Sequence, residues 1–361
     1  MAIEIDGSTL EGGGQILRSA IAFAAVLDKP VVVKNIRAKR KNPGLRPQHL
    51  HGILAVKQLT DAKVKGTHVG SSQIEFFPQS HRGGKITVNI GTAGSITLVL
   101  QAIMVVAPFC EQAIVATLKG GTNVAWSPPI DYLQHVFLPR LHQMGFLGQL
   151  HLQNRGYYPK GGGNVTASLS PITSLDPLLL NKNEETPRIS GISHSGSLPS
   201  HVAERQANAA KHELEQAGFQ LEAIKIEQIK NTQSPGSGIS LWVRNKNRII
   251  GADALGRRGL RAEKVGEQAA LRIIQELKTN APVDQHQADM LIPYLALAQG
   301  TSSIFISNLT LHSMTNIHVV EQFLGIQFRI QGKLDSPAQI SVNGIGLEGV
   351  SASPEFSQTG L

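Results

Sequence analysis

The chain of 361 residues contains one cysteine, Cys110, which excludes an internal disulfide and any cysteine-built zinc or iron–sulfur centre. Cys110 stands in the apolar run "VVAPFCEQAIVA" and reads as a buried small hydrophobe in a reducing compartment. Long hydrophobic runs are also lacking. The longest, residues 96–118, is broken by Gln101, Glu111 and Gln112 and carries Pro108, so it makes a poor membrane span. The opening "MAIEIDGSTLEGG" has no basic region followed by an apolar core, as a signal peptide would. The expectation is a cytoplasmic protein with no membrane partner. No C-x-x-C or H-E-x-x-H spacing occurs, and His49-Leu50-His51 would turn its two rings apart on a helix. Acidic residues are outnumbered, 26 against 34 basic, and the net charge of +8 favours polyanionic partners.

What is present points to an α/β protein. Hydrophobic residues make up 41% and charged residues 17%, ordinary for a globular chain, and 36 glycines fall largely in short runs. Two segments share a strand, a small-residue turn and an apolar helix: "IEIDGSTLEGGGQILRSAIAFAAVL" and "ITVNIGTAGSITLVLQAIMVVAPF". A third, "VDQHQADMLIPYLALA", has the helix without an obvious glycine turn. The pattern predicts a repeated α/β unit of roughly 60–90 residues. Residues 183–280 read differently, as a β-α-β-β-α insertion whose strands "LEAIKIEQI" and "GISLWVRN" are joined by the turn "KNTQSPGSG". The expected division is a large domain (1–182 plus 281–345), a small inserted α/β domain (183–280) and a fraying tail (346–361).

Several short motifs can carry chemistry. In Glu11-Gly12-Gly13-Gly14-Gln15 the glycines let backbone approach an anion at a helix N-terminus, and the carboxylate beside it can hold a divalent metal. It is neither a Walker P-loop nor a dinucleotide fingerprint, and an exposed Glu on a tight turn explains it equally well. "IRAKRKNPGLRPQHLHG" packs Arg37, Lys39, Arg40, Lys41 and Arg46 around a Pro-Gly turn, with Gln48 and His49 after it; arginines on an irregular segment clamp phosphates. "GTAGSITLVLQ" leaves Gln101 as the polar exception on an apolar helix, and close packing alone accounts for its small residues. "RGYYPKGGGNV" offers Tyr157 and Tyr158 beside a basic glycine turn, which suits base stacking or a plain hairpin tip. "GADALGRRGLRAE" adds Arg257, Arg258 and Arg261, a groove for an RNA backbone or a basic loop. In "LTLHSMTNIHVVEQFLG" a strand leads to His312 and a helix leads away, with Thr315 or Asn316 available as N-cap. A lone histidine is more often structural than chemical. Lysine-based nucleotidyl transferases attack from Lys-x-Asp-Gly, and here "EIDG" has Glu4 in place of that lysine.

Taken in order, "EGGGQILRSA", "IRAKRKNPGLRPQHL", "GTAGSITLVLQ", "GGTN" with "PPID", "YYPKGGG" and "LHSMTNIHVVEQFL" resemble the RNA 3′-terminal phosphate cyclase family from about residue 3 to 330. The resemblance implies a large domain of three related α/β units, with a smaller α/β domain inserted between the second and third. It implies that His312, in an H-x-x-T-N pattern, becomes adenylylated by ATP and passes AMP to an RNA 3′-phosphate, which closes to a 2′,3′-cyclic phosphate through RNA(3′)pp(5′)A. It implies Glu11 as ligand of a divalent cation (Mg²⁺ or Mn²⁺), Arg18, Arg37 and Arg40 as phosphate ligands, and Gln48 and Gln101 in the nucleotide and phosphate pocket. Pro128 forms one face of the adenine slot and Asp289 is an acidic residue of the same site. Where members of the family can place a tyrosine over the adenine, this sequence has His286, and Met290 cannot donate an amide hydrogen bond to the base. The implied partner is RNA with a 3′-terminal phosphate. The oligomeric state stays open, a homodimer included. The rival readings are a non-catalytic cyclase-like RNA-binding or rRNA-processing factor, an enolpyruvyl transferase of similar repeated architecture, and a plain RNA-binding module.

Overall fold

Two helices of this chain are apolar but for a narrow polar strip, and such a helix must be covered on all its other sides. The computed structural model describes residues 2–182 and 187–349 and shows how that covering is done. The first unit runs β1 (Ile3–Asp6), α1 (Gly14–Val26), β2 (Val31–Lys34), α2 (Pro47–Thr60), β3 (Lys63–Lys65) and β4 (Ile74–Phe77). The second runs β5 (Gly84–Asn89), α3 (Ile96–Val106), β6 (Ile114–Gly120), α4 (Ile130–Tyr132), a π-helical turn into α5 (Leu138–His142), β7 (Leu147–Asn154) and β8 (Gly163–Ser170). After β9 (Leu179–Leu180) come β10 (Arg188–Gly196), α6 (His201–Gln216), β11 (Gln220–Ile229), β12 (Gly236–Arg244), β13 (Ile249–Leu255) and α7 (Ala262–Leu277). The chain then forms α8 (Gln285–Leu297), β14 (Gln299–Ile306), α9 (Leu311–Leu324), β15 (Arg329–Gln331) and β16 (Ala338–Ile345).

Three of the four sheets repeat one topology. Their orders are β1-β2-β4-β3, β5-β6-β8-β7 and β9-β14-β16-β15. In each, the first two strands are parallel across a helical crossover, and the last two close the sheet antiparallel. The helices of the three units pack on one another, α1 against α2, α3 and α9, and α8 against α9. One continuous apolar core runs through them. Within it every residue of α1 is buried except Gly14 and Arg18, and every residue of α3 except Gln101.

β9 pairs in parallel with β14, so the segment carrying the fourth sheet enters after the third unit's first strand rather than ahead of that unit. That sheet has the order β11-β10-β12-β13, with its own core against α6 and α7. Two expectations for it are corrected. The strands read as a joined pair, β11 and β12, do not touch, because β10 lies between them, parallel to β11 across α6 and antiparallel to β12. Residues 251–255, read as part of a basic loop, belong to a further strand, β13, whose apolar residues alternate onto the core. Residues 183–186 and 350–361, at the opening of the expected insertion and in most of the expected tail, lie outside the described residues. Among the described residues no helix is long and apolar enough to cross a membrane.

Candidate active site

The repeat brings equivalent helix positions from different units into one cleft. Arg18 is the fifth residue of α1 and Asp289 the fifth of α8; Gln101 is the sixth of α3. Gln48 and His312 are the second residues of α2 and α9. All five line a cleft of about 1540 Å³, as do Glu11, Arg37, Arg40, Pro128 and His286. A polar side chain on a helix buried on all other sides has nowhere else to point. No acidic residue caps or occupies the first turn of α1, α2, α3 or α9, so the positive ends of these helices are left for an anion, whereas that of α8 is taken by its cap, Asp284.

His312 enters this cleft at the start of α9. The cap is Thr310, whose Oγ1 accepts from the Ser313 N–H (3.1 Å), not Thr315 or Asn316 as expected. Those two lie inside the helix: the Thr315 hydroxyl donates to the Leu311 carbonyl (2.6 Å), and Asn316 ties α9 to its neighbours. Its Nδ2 donates to the Asp289 carbonyl (2.6 Å), and its Oδ1 accepts from Ser19 Oγ on α1 (2.5 Å). The histidine is thus aimed by a helix anchored from two sides, while its ring stays half exposed.

His312 Nε2 lies 2.9 Å from Glu11 Oε2, and Arg40 pairs with the other carboxylate oxygen. The Glu11 carboxylate beside it raises the imidazole's pKa, with burial working against it. Burial works to raise Glu11, but His312 and Arg40 together hold its carboxyl below the ordinary value. Arg18 is brought down to about 10 by burial, against the pull of Asp289 and Glu11. Asp289 is pushed up to about 6, again by burial, with His312, His286 and Arg18 opposing.

The glycine run has a steric reason. A Cβ on Gly14 would sit 2.2 Å from His49 Nε2, so α1 and α2 meet there with no room for a methyl group. His49 is buried and brought down to about 3 by burial and by Arg18, Arg37 and Arg46, and its Nδ1 accepts from the Arg46 N–H (3.2 Å). It is a neutral spacer holding the Glu11 loop against the arginine-rich turn. Gly14→Ala is therefore expected to force the two helices apart and destabilise the fold by about 1–3 kcal/mol, read as a lowered Tm. An unchanged Tm would mean that the contact is slack.

The remaining expected residues differ in how free they are. Arg37 has left-handed backbone (φ +54°), and its Nη1 donates to the carbonyls of Asn42 (2.6 Å) and Gly44 (2.9 Å), so it braces the basic turn as well as facing the cleft. Gln101 donates from Nε2 to the Met290 sulfur (3.0 Å). The Pro128 carbonyl accepts from Thr97 Oγ1 (2.7 Å), which fixes the segment before α4 against α3. His286 is exposed in the first turn of α8. Arg257, Arg258 and Arg261 stand on the exposed loop between β13 and α7 and do not line the cleft.

Reading the sequence alone passes over Asp284, the N-cap of α8. Its carboxylate accepts from the Tyr132 hydroxyl (2.6 Å), the Gly251 N–H (2.9 Å) and the N–H groups of His286 and Gln287 (both 2.9 Å). One side chain thereby joins the second unit, the inserted sheet and the helix that carries His286 and Asp289. The capping signal, an Asp ahead of "QHQADML", is visible in the sequence.

A profile of the family described as "RNA 3′-terminal phosphate cyclase" matches residues 9–330. The chain belongs to this family. Over 340 residues it is 46% identical to a Pyrococcus furiosus protein named RNA 3′-terminal phosphate cyclase, covering 94% of this chain and 98% of the relative. Proteins of the same name from Ignicoccus hospitalis (45% over 348 residues; 95% and 99% covered) and Methanosarcina acetivorans (48% over 352 residues; 92% and 97% covered) are similar to the same extent. The stretch shared with the cyclase family takes in both glycine-rich turns, the basic segment and α9, and so every residue that faces the cleft.

Proposed function

We propose that the protein is an ATP-dependent RNA 3′-terminal phosphate cyclase that works through a covalent histidine–AMP on His312. The observation that carries this reading is His312 Nε2 set 2.9 Å from Glu11 at the entrance of α9, in a cleft shared with Arg18, Arg37 and Arg40. Neutral imidazole attacks the α-phosphorus of ATP; the N–P bond forms as the bond to the bridging oxygen breaks, and pyrophosphate leaves. An oxygen of the RNA 3′-phosphate then displaces the imidazole and takes the AMP. The vicinal 2′-hydroxyl attacks the 3′-phosphorus, its proton passes to solvent, and AMP departs with the bridging electron pair. Cyclisation needs the 2′-hydroxyl, which confines it to RNA ends.

The cleft supplies what phosphoryl transfer chiefly requires, positive charge fixed in advance. Arg18, Arg37 and Arg40 meet the phosphates. Pro128 and His286 hold the adenine between them, with Gln48, Gln101 and Asp289 completing the pocket. A divalent cation, Mg²⁺ or Mn²⁺, supplies further charge neutralisation on the phosphate oxygens when bound. Glu11 would hold it. Among the described residues no group of three or more His, Cys, Asp or Glu is arranged to hold a metal. One carboxylate suits an ion carried mainly by phosphate oxygens and water, the usual habit of Mg²⁺. Engaging Glu11 elsewhere also removes the carboxylate contact that favours the protonated imidazole, leaving the nucleophilic form.

The test is incubation with ATP labelled at the α-phosphate, with magnesium or manganese, followed by denaturing separation. Acid-labile label on the protein that moves to RNA bearing a 3′-phosphate, and not to a DNA analogue, is expected. RNA binding with no label under any metal would overturn the reading and favour a non-catalytic cyclase-like RNA-binding factor.

A further inference from the structure

Trp126 is 99% exposed, the most exposed large hydrophobic side chain among the described residues, and it lies on the wall of the same cleft. Its backbone is left-handed (φ +68°), a conformation disfavoured for a bulky residue. Tyr158, 78% exposed, lines the cleft from a second loop. An indole left wholly in water at the mouth of a basic cleft contributes nothing to the core, and neither the fold nor the transfer of AMP accounts for it.

The two loops share a rigid base. The N–H groups of Thr122 and Asn123 donate to the Gly156 carbonyl (2.9 and 3.2 Å), and the Gly156 N–H donates to Thr122 Oγ1 (2.9 Å). Below them the buried Arg155 guanidinium holds Asn123 Oδ1 (3.2 Å) and Asp131. Ser127 Oγ donates to the Val124 carbonyl (3.1 Å) and closes the turn that presents the indole. The tips are exposed and their roots are fixed, which is how a preorganised contact surface is built.

We propose that Trp126 and Tyr158 form a stacking platform for the unpaired bases at the 3′ end of the RNA. Three features on the cleft select that occupant. Its wall carries Arg37, Arg40, Lys41 and Arg46, which complement a polyanionic backbone. Aromatic faces accept any base, so the platform binds single strands with little regard for sequence. It also lines the same cleft as His312, to which the terminal phosphate must be delivered. The inference rests on the cyclase reading for the identity of the strand, and its test does not depend on catalysis.

Trp126 is one of two tryptophans; the other, Trp242, is buried and stacked on His135 (centroids 4.1 Å apart). The red-shifted, water-exposed part of the intrinsic emission therefore reports on Trp126. Titrating the protein without ATP with a short 3′-phosphorylated oligoribonucleotide is expected to quench the exposed emission. Trp126→Ala should bind the same RNA roughly ten-fold or more weakly, the size of one lost base–aromatic stack, and Trp126→Phe should recover most of it. Self-labelling by ATP should be unchanged in both variants. Unquenched binding, or equal affinity in Trp126→Ala, overturns the platform while leaving the cyclase reading intact. A parallel loss of self-labelling also overturns it, by placing the indole on the nucleotide. Quenching by RNA in a wild type that takes no label would retain the platform and remove the cyclase reading.

Discussion

His312→Ala is expected to take no label from α-labelled ATP and to lose at least about 10³-fold in cyclisation rate. The size follows from the role assigned to the side chain. Removing a covalent nucleophile removes the pathway, and the arginines and metal that remain still bind nucleotide and leave only residual, uncatalysed transfer. The same variant should bind ATP close to normally, because Arg18, Arg37 and Arg40 are untouched. It should also fold normally, since the cap of α9 is Thr310 and the His312 ring is half exposed. The combination of retained binding, retained Tm and lost label distinguishes a nucleophile from a structural histidine. A variant that still accumulates label at the wild-type rate would move the nucleophile elsewhere in the cleft. Glu11→Ala should lower the rate too, but with label still detectable at high metal, because the cation loses one ligand and the reaction keeps its nucleophile.

How much of this was readable from residues alone varies with the distance over which each feature is specified. Gln101 stood out as the polar exception on an apolar helix, and that is where it faces the cleft; Arg18, which also faces it, came only through the family resemblance. The glycine turns themselves were legible because glycine runs ahead of apolar helices are local features, but nothing local decided between anion binding and close packing. The α9 cap went to Thr310 because the helix begins at Leu311, ahead of both expected caps; inside it Thr315 bonds back to the Leu311 carbonyl, and Asn316 is taken up by tertiary contacts that no local pattern reveals. The third unit lacked a glycine turn and still folds as the first two do. Its first strand, β9, is two residues long and is separated from its partner β14 by the whole inserted sheet. Strand order in that inserted sheet was equally hidden: β10 reaches both neighbours through crossovers, and an apolar run such as 249–255 looks alike as strand or loop until its partner is known. Asp284 and the Arg155 network depend on partners far away in the chain, which only the packed structure brings together.

Asp131→Ala should destabilise the protein by about 3–5 kcal/mol, as an unfolding midpoint at constant slope would measure. Asp131 and Arg155 are almost wholly buried and meet through two 2.7 Å hydrogen bonds; Arg155 also donates to Glu227 on the inserted sheet (2.8 Å). Removing the carboxylate leaves a buried guanidinium with only the half-buried Glu227 to answer it. Burial works to raise the Asp131 carboxyl, but Arg155, helped by His194 and Asn123, holds it well below the usual carboxylate range. Its contribution is therefore present above about pH 4 and is lost as pH falls further. The same network holds His194 neutral: burial and Arg155 bring it down to about 3. Its Nε2 accepts from Asn123 Nδ2 (3.1 Å), so its Nδ1–H donates to the Tyr157 hydroxyl (2.8 Å). The unfolded chain takes up a proton there below about pH 6.5 while the folded chain does not, so stability falls by about 1.4 kcal/mol per pH unit between those limits. Asp253 and Asp289, both raised to about 6, titrate in the opposite sense and mask this in the wild type alone. The difference between wild type and His194→Gln cancels them. The penalty of that substitution should shrink by about 2 kcal/mol between pH 7 and pH 5. A penalty that stays constant with pH would mean that the histidine takes up its proton as readily in the folded protein as in the unfolded chain, and that the joint between the second unit and the inserted sheet is wet rather than dry.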